Sequence, residues 1–445
     1  MRQGVVPQRR QVLTGLAAMG MAAAAPSRRP PNIVIVLADD LGYGDLGVQG
    51  SNLIATPNLD RLARQGVRMT DFYASANICT PSRAGLQTGR YPIRTGLAHE
   101  VIRPSDTNGL PLSEVTIAEA LKPDYATALV GKWHLGHVAP FWPPTQHGYD
   151  RFFGLPYSHD MKPLSLYSAG PGVELTQEDV DFPKLTQRFF DRGLQFIEDN
   201  RARPFFLTLA LTAPHLALFP HPDHAGHSRA AAYGDVVEEI DTQVGRLTTR
   251  LKALGIDRDT IVIVTSDNGP WIEGSSGPLR DRKGGAGWDG GYRVPFIAWG
   301  PGRMPSGRVS REIAMNIDLL PTILALAGKP LPRAEIDGRD LSTVLVQGAK
   351  SPHDELILFN NEKVVAVRTD RWKFVASSYY RSIVLPLAAI RGEGLFDVRA
   401  DPAEAYNLAS LHPEVVADMQ ARLARARATF EPLGVYKPPG VAAVR

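Results

Sequence analysis

The chain has 445 residues, of which 44% are hydrophobic and 21% charged, and carries a formal net charge of +3. Such a length buries a sizeable core, and this balance excludes a disordered, fibrous or polyanion-coating protein. The single cysteine, Cys79, excludes a disulfide framework and any multi-thiolate metal site.

The first 25 residues, "MRQGVVPQRRQVLTGLAAMGMAAAA", set three arginines and no acid before a short Ala/Gly-rich apolar run and a small-residue site at Ala23–Ala25. Basic, apolar, small is the order of an export signal, and the run is too short to cross a bilayer. The pair Arg9–Arg10 before "QVLTG" points to twin-arginine export of a folded protein, hence to the periplasm. Its removal takes away three positive charges and leaves about zero, with no electrostatic footprint for nucleic acid. No later stretch suits stable membrane insertion.

"NIVIVLADD" at 32–40 is apolar without alternation, as a strand buried on both faces reads. A helix is expected over Thr56–Gln65. In "NICTPSR", Thr80 and Pro81 occupy the places of an N-cap and a first helical residue, with Gly89 as the stop. A short helix at Thr116–Leu121 precedes the strand of "YATALVGKWHLG", and 140–182 reads as a long loop rich in Gly, Pro and aromatics. Next come a helix over Leu185–Asp199, the strand of "PFFLTLALTAPH", and a helix over Tyr233–Leu254 with Val236, Ile240, Val244 and Leu247 at helical spacing. "DTIVIVTSDNG", a loop over 265–292 and "VPFIAWGPG" complete the series. Strands alternating with helices predict an α/β fold over 32–350, a large, mostly parallel mixed sheet sandwiched by helices. From 353 to 437 short strands ("ELILFN", "KVVAVRTDRWKFVAS", "GEGLFDVRADP") and an amphipathic helix predict a small antiparallel sheet with a closing helix.

Ligands of an open parallel sheet bind beyond the carboxyl ends of its strands. Four apolar runs end there in chemistry: Asp39–Asp40, then Lys132 and His134, then His215, then Asp267–Asn268. One such ending is an ordinary turn; four of one sheet, acids and amide on two and cations on two, point to a site. Asp39, Asp40, Asp267 and Asn268 offer oxygen only, which suits Ca²⁺ or Mg²⁺ rather than Zn²⁺. Lys132, His134, His215, Arg83 and Lys283 are the cationic counterpart, suited to a sulfate or phosphate oxyanion. Strand alternation would put Lys132 and His134 on one side. Cys79, just before a helix N-terminus and near Arg83, reads as a nucleophile beside a bound oxyanion, yet a plain cysteine hydrolase has no need of a hard cation.

These residues resemble the sulfatase family, the type I enzymes of the alkaline phosphatase superfamily that carry a formylglycine, in their arylsulfatase A-like branch. The signature C-x-P-S-R followed by x-x-L-x-T-G-R is matched by Cys79, Pro81, Ser82, Arg83, Leu86, Thr88, Gly89 and Arg90. "NIVIVLADDLGYGDLG", "GKWHLG", "TAPH", "SDNG" and "GLFDVRADPAEAYNLA" follow the family's order across nearly the whole mature chain. The resemblance implies that a maturation enzyme oxidises Cys79 to formylglycine (3-oxoalanine), whose hydrate is the nucleophile. It implies that Asp39, Asp40, Asp267 and Asn268 hold Ca²⁺ or Mg²⁺, with residue 79 also at the ion. Lys132 and Arg83 would steady the nucleophile and the sulfate, and Lys283 and His215 would lie by the leaving oxygen, His215 as proton donor. His134 would then take the proton that lets sulfate depart by elimination. "GLPYSHDM" resembles the stretch that brings a serine and a histidine into the pocket, here Ser158 and His159 as substrate contacts. The run from Lys283 to Asp289 is one residue longer than the family's and ends in Asp instead of Glu, which leaves Arg282 as the alternative cation.

The expected reaction is therefore hydrolysis of a small-molecule or saccharide sulfate ester. A phosphonate monoester or phosphodiester hydrolase on the same scaffold and a non-catalytic binding relative are the competitors, and the intact Cys79, Arg83, Lys132, His134 and His215 argue against the latter. A two-zinc phosphatase lacks its histidines here. Loops 96–112, 140–182 and 270–290 would set selectivity, with Tyr91, His99, Trp142, Tyr157 and Trp271 as either stacking walls or packing.

Overall fold

Branched apolar residues with no polar alternation can be buried only if both faces of their strand are covered, and this chain covers them with helices. A computed structural model describes residues 29–436 apart from 381–382 and 387–393, together with Met1 and Gly4, so nearly all of the expected export signal lies outside the described residues. The chain runs through β1 (Asn32–Ala38), α1 (Pro57–Gln65), β2 (Val67–Met69), β3 (Phe72–Tyr73), α2 (Cys79–Thr88), α3 (Ile117–Leu121) and β4 (Ala126–Lys132). It continues through β5 (Arg151–Leu155), β6 (Leu166–Gly170), β7 (Val173–Glu178), α4 (Leu185–Asn200), β8 (Phe205–Ala210), α5 (Ala231–Ala253), β9 (Thr260–Ser266), α6 (Asp289–Tyr292), β10 (Phe296–Trp299), β11 (Arg308–Ser310) and β12 (Ala314–Met315). Then follow α7 (Leu319–Ala327), α8 (Ser342–Gln347), β13 (Leu356–Asn360), β14 (Lys363–Arg368), β15 (Trp372–Val375), β16 (Ser377–Tyr380), β17 (Ile383–Pro386), β18 (Gly394–Asp397) and α9 (Pro413–Phe430).

Ten strands form one sheet in the order β11-β2-β10-β9-β1-β8-β4-β5-β6-β7. Its middle, β9-β1-β8-β4-β5, is parallel; β10, β6 and β7 pair antiparallel to their inner neighbours. Ile33, Ile35 and Leu37 face the layer of α3 and α7, while Val34 and Val36 face α1, α4 and α5. Both sets are fully buried, so an Ile→Ala change in β1 is expected to cost about 2–5 kcal/mol. Gly131 lets β4 pass β8: a Cβ there would stand 1.8 Å from the Ala210 carbonyl oxygen, at a φ of 120°.

Residues 140–182 differ from expectation: they contain β5, β6 and β7 and not one long loop. The strands are short and separated by Gly and Pro, and β7 is an exposed edge with no buried face to pattern it. In the small sheet, order β13-β14-β15-β18, all pairings are antiparallel, and α9 closes it with Met419, Leu423 and Phe430. One apolar cluster joins these to Tyr73, Tyr91, Trp288, Tyr292 and Met315 of the large body, so the small sheet is docked and not tethered. Among the described residues no helix is long and apolar enough to cross a membrane.

Candidate active site

β1 and β9 lie side by side with Ala38 opposite Ser266, so the residues just beyond them meet. The Asp40 amide donates to Asp267 Oδ1 at 3.2 Å, and the Asn268 side-chain amide donates to Asp40 Oδ1 at 2.7 Å. Asp40 turns back toward the site with a φ of 66°. Carboxylate oxygens of Asp39, Asp40 and Asp267 and the Cys79 sulfur all come within 4.8 Å of one another, and all four residues are buried.

Cys79 arrives from the first turn of α2. The helix begins at Cys79, with Ile78 as N-cap, which corrects the expectation that Thr80 caps it. Thr80 is otherwise engaged: its hydroxyl donates to the His134 carbonyl at 2.9 Å and accepts from the Ile102 amide at 3.1 Å. Gly89 ends α2 in the left-handed conformation, as expected. Cys79 Sγ lies 3.4 Å from Asp39 Oδ1 and 3.5 Å from Lys283 Nζ. One turn on, Arg83 is on the same face. Its Nε donates to Asp267 Oδ2 at 2.8 Å and its Nη1 to the Lys132 carbonyl at 3.0 Å.

Lys132, the last residue of β4, donates to Asp39 Oδ2 at 2.7 Å. Strand alternation does not bring His134 in beside it, because the strand ends at Lys132 and His134 has a φ of 61°. His134 Nε2 faces the Ile102 carbonyl at 3.0 Å and so carries the hydrogen, while Nδ1 is buried without a partner. Burial, with Lys132 and Arg83 nearby, holds His134 well below the usual histidine range, hence neutral. His215 stands five residues beyond the end of β8, with Nδ1 against the Leu216 carbonyl and Nε2 3.6 Å from Asp40 Oδ2. Lys283 donates to Asp40 Oδ2 at 2.7 Å. Arg282 turns outward to the Trp271 and Ile272 carbonyls, so Lys283 is the loop cation that reaches the cluster. Ser158 Oγ and His159 Nδ1 are buried without partners, and the His159 ring packs 5.8 Å from that of His215.

The electrostatics divide the acids. Burial opposes ionisation of Asp39, but Lys132, His215, Arg83 and Lys283 outweigh it and hold its carboxyl well below the usual range. For Asp267 burial prevails over Arg83, with Asp39 adding to it, and the carboxyl is pushed up to about 6. Burial also drives the Cys79 thiol far up despite Lys132 and Lys283, so it stays protonated. The donor set fits a hard divalent cation: three converging carboxylates, and Asn268 Oδ1 buried with no hydrogen-bond partner.

The sulfatase family profile matches residues 31–329, and that of the N-sulphoglucosamine sulphohydrolase C-terminal region matches residues 287–429. The chain belongs to the sulfatase family. It is 39% identical to arylsulfatase A of Bos taurus, over 97% of this chain and 93% of that protein. With arylsulfatase A of Homo sapiens the identity is 40%, over 92% of this chain and 89% of the other. The crystal structure of PsFucS1 sulfatase from Pseudoalteromonas sp. superposes with a TM-score of 0.83 at 29% identity, covering 90% of each chain. This sulfatase is thus a sulfuric ester hydrolase with the alkaline-phosphatase-like fold.

Of the aromatic candidates, Tyr91 packs against Phe359 and Phe430, and Trp142 against Phe152 and Tyr167. His99 stacks on Tyr436, Tyr157 is buried beside His137, and Trp271 alone of the five is exposed. Sequence reasoning missed Asn316, whose amide donates to the Ser82 carbonyl and hydroxyl at 3.1 and 2.8 Å while Ser82 donates to the Asp267 carbonyl. It also missed Phe182 and Phe219, stacked at 4.7 Å beside His159. An isolated Asn or Phe carries no spacing signal.

Proposed function

We propose that this sulfatase cleaves aryl or carbohydrate sulfate esters at residue 79, with Cys79 converted to formylglycine by a maturation enzyme and Ca²⁺ or Mg²⁺ held by Asp39, Asp40, Asp267 and Asn268. The observation that carries this is the setting of Cys79. A buried thiol kept protonated is a poor nucleophile, yet it sits where three carboxylates and three cations converge. The modified residue supplies a hydrated aldehyde as nucleophile, and the divalent cation supplies Lewis acidity. Charge accounts for the composition: Asp39, Asp40 and Asp267 cancel Lys132, Arg83 and Lys283. A divalent ion then leaves a surplus matched to a sulfate monoester and an ionised nucleophile.

Each side chain has a role consistent with its hydrogen bonds. Arg83 and Lys132 orient Asp267 and Asp39 and face the oxyanion. His134, its Nε2 hydrogen committed to Ile102, presents an unprotonated Nδ1 to take the proton from residue 79. His215 Nε2 gives a proton to the leaving oxygen, with Lys283 beside it. Ser158 Oγ and His159 Nδ1, both lacking partners, contact the substrate. Residues 32–350 form the catalytic domain and 353–437 the C-terminal subdomain. The leader over 1–25 sends the folded, already modified chain to the periplasm. Comparing turnover of 4-nitrophenyl sulfate with that of bis(4-nitrophenyl) phosphate tests the reaction class. The sulfate ester is expected to have the higher kcat/KM; preference for the diester would favour the phosphodiesterase alternative.

A further inference from the structure

Lys283 reaches Asp40 and Cys79 from a loop with no strand or long helix of its own, so other contacts must fix its backbone. The Lys283 amide donates to the Pro270 carbonyl at 2.9 Å, and the Gly284 amide donates to the Asn77 carbonyl at 3.0 Å. The Asn77 side-chain amide in turn donates to the Gly285 carbonyl at 3.1 Å. Gly284 has a φ of 76°, so the turn after Lys283 uses a glycine conformation with little stiffness of its own. The second hydrogen of the same Asn77 amide goes to Asn360 Oδ1, 3.0 Å away at the end of β13 in the small sheet. Asn77 is 1% exposed and lies two residues before Cys79.

We propose that Asn77 is a positioning residue, which sets the distance between the reacting atom of residue 79 and the Lys283 ammonium, with Asn360 as its anchor in the C-terminal subdomain. The inference rests on the role given to Lys283 above. A primary amide has two donors in a fixed fork, whereas serine has one and aspartate none, so few side chains of this size can serve both acceptors. Asn77 thereby ties three segments: the one bearing residue 79, the one bearing Lys283, and β13. Displacing a charged group by a fraction of an ångström is enough to slow a reaction that depends on its placement.

The test is a double-mutant cycle in the full-length chain made with its maturation enzyme, with conversion of residue 79 measured by mass spectrometry and kcat expressed per converted molecule. N77A is expected to lower kcat on 4-nitrophenyl sulfate by about tenfold or more. In a K283A background the same change is expected to alter kcat by less than about twofold. N360A, which retains the Asn77 side chain but removes its anchor, is expected to lose roughly threefold and to lose it only when Lys283 is present. Hydrogen exchange of the peptide spanning 283–287 should quicken in N77A. Losses that multiply with that of K283A, or unchanged kcat and exchange, would overturn the inference. Should N77A fail to fold, N360A decides: a loss that vanishes in K283A supports the assignment, and one that persists or never appears overturns it. An unchanged kcat in K283A alone would instead overturn the role of Lys283, and this inference with it.

Discussion

Among the described residues two clusters of buried charge invite comparison, and they place their carboxylates differently. At the strand ends carboxylate oxygens of Asp39, Asp40 and Asp267 converge within 4.8 Å, with Lys132, Lys283 and Arg83 paired to them from outside. At the junction with the small sheet Asp71, Asp289 and Glu404 are interleaved with Arg293, Arg368, Lys373 and Arg399. There Lys373 lies between Asp289 Oδ1 at 2.5 Å and Glu404 Oε1 at 2.9 Å, and Arg368 meets Asp71 at 2.8 Å. Each cluster holds one acid on either side of its usual range. Against burial, nearby cations hold Asp39 well below it, and Lys373, Arg293 and Arg368 hold Asp289 at about 2. Burial prevails at Asp267, pushed up to about 6, and at Glu404, pushed up to about 7. Convergence of like charge costs stability unless a ligand relieves it, while alternation of opposite charge holds two bodies together. We read the first arrangement as the proposed site and the second as a structural joint.

The contrast is sharpest at Cys79. C79A should lower turnover by roughly 10⁴-fold or more, as loss of a nucleophile does, with Tm within about 2 °C of wild type. Unchanged turnover would remove residue 79 from the chemistry. Next in size is an exchange of lysines. K373A leaves Glu404 buried without its cation and Asp289 with Arg293 at 3.6 Å, and should cost about 3–5 kcal/mol of stability in denaturant melts, with turnover per folded molecule little changed. K132A should do the reverse, losing turnover by about 10²-fold with the smaller stability loss. If the two variants behaved alike, the division between site and joint would fail.

Removing divalent ions should discriminate further. Chelation should lower both turnover and Tm, and Ca²⁺ at a hundredfold over its Kd should restore about 2.7 kcal/mol. In a D40N/D267N variant the added ion should produce no shift, and an undiminished shift there would place the ion elsewhere. The smallest effect is on acid stability at the joint. Lys373 depresses Asp289 below its unfolded value, so its contribution is present above about pH 4 and lost as the pH falls toward 2. The stability advantage of wild type over D289N should therefore shrink by about 2 kcal/mol between pH 4 and pH 2. An advantage that grew on acidification would contradict the sign.

The parallel core was legible because β1 and β9 are runs of Ile and Val and β4 and β8 are largely apolar, and the candidate site because acids and cations stand at or just beyond the ends of these strands. β6 and the edge strand β7 were not, since half-buried and exposed strands carry no such pattern. Thr80 was misread because a hydroxyl committed to a distant carbonyl looks, in sequence, like a cap. The choice of Lys283 over Arg282 needed three dimensions, as adjacent loop residues point in different directions. Asn77, Asn316 and the Asp71–Arg368 pair act across more than 200 residues, a separation at which no local pattern exists.

The most direct measurement is the mass of the peptide carrying residue 79, from protein made with its maturation enzyme and active on 4-nitrophenyl sulfate. Conversion of the thiol to an aldehyde, in a fraction that rises in step with specific activity, is the expected result. Full activity with the Cys79 thiol intact would contradict the role assigned to this residue.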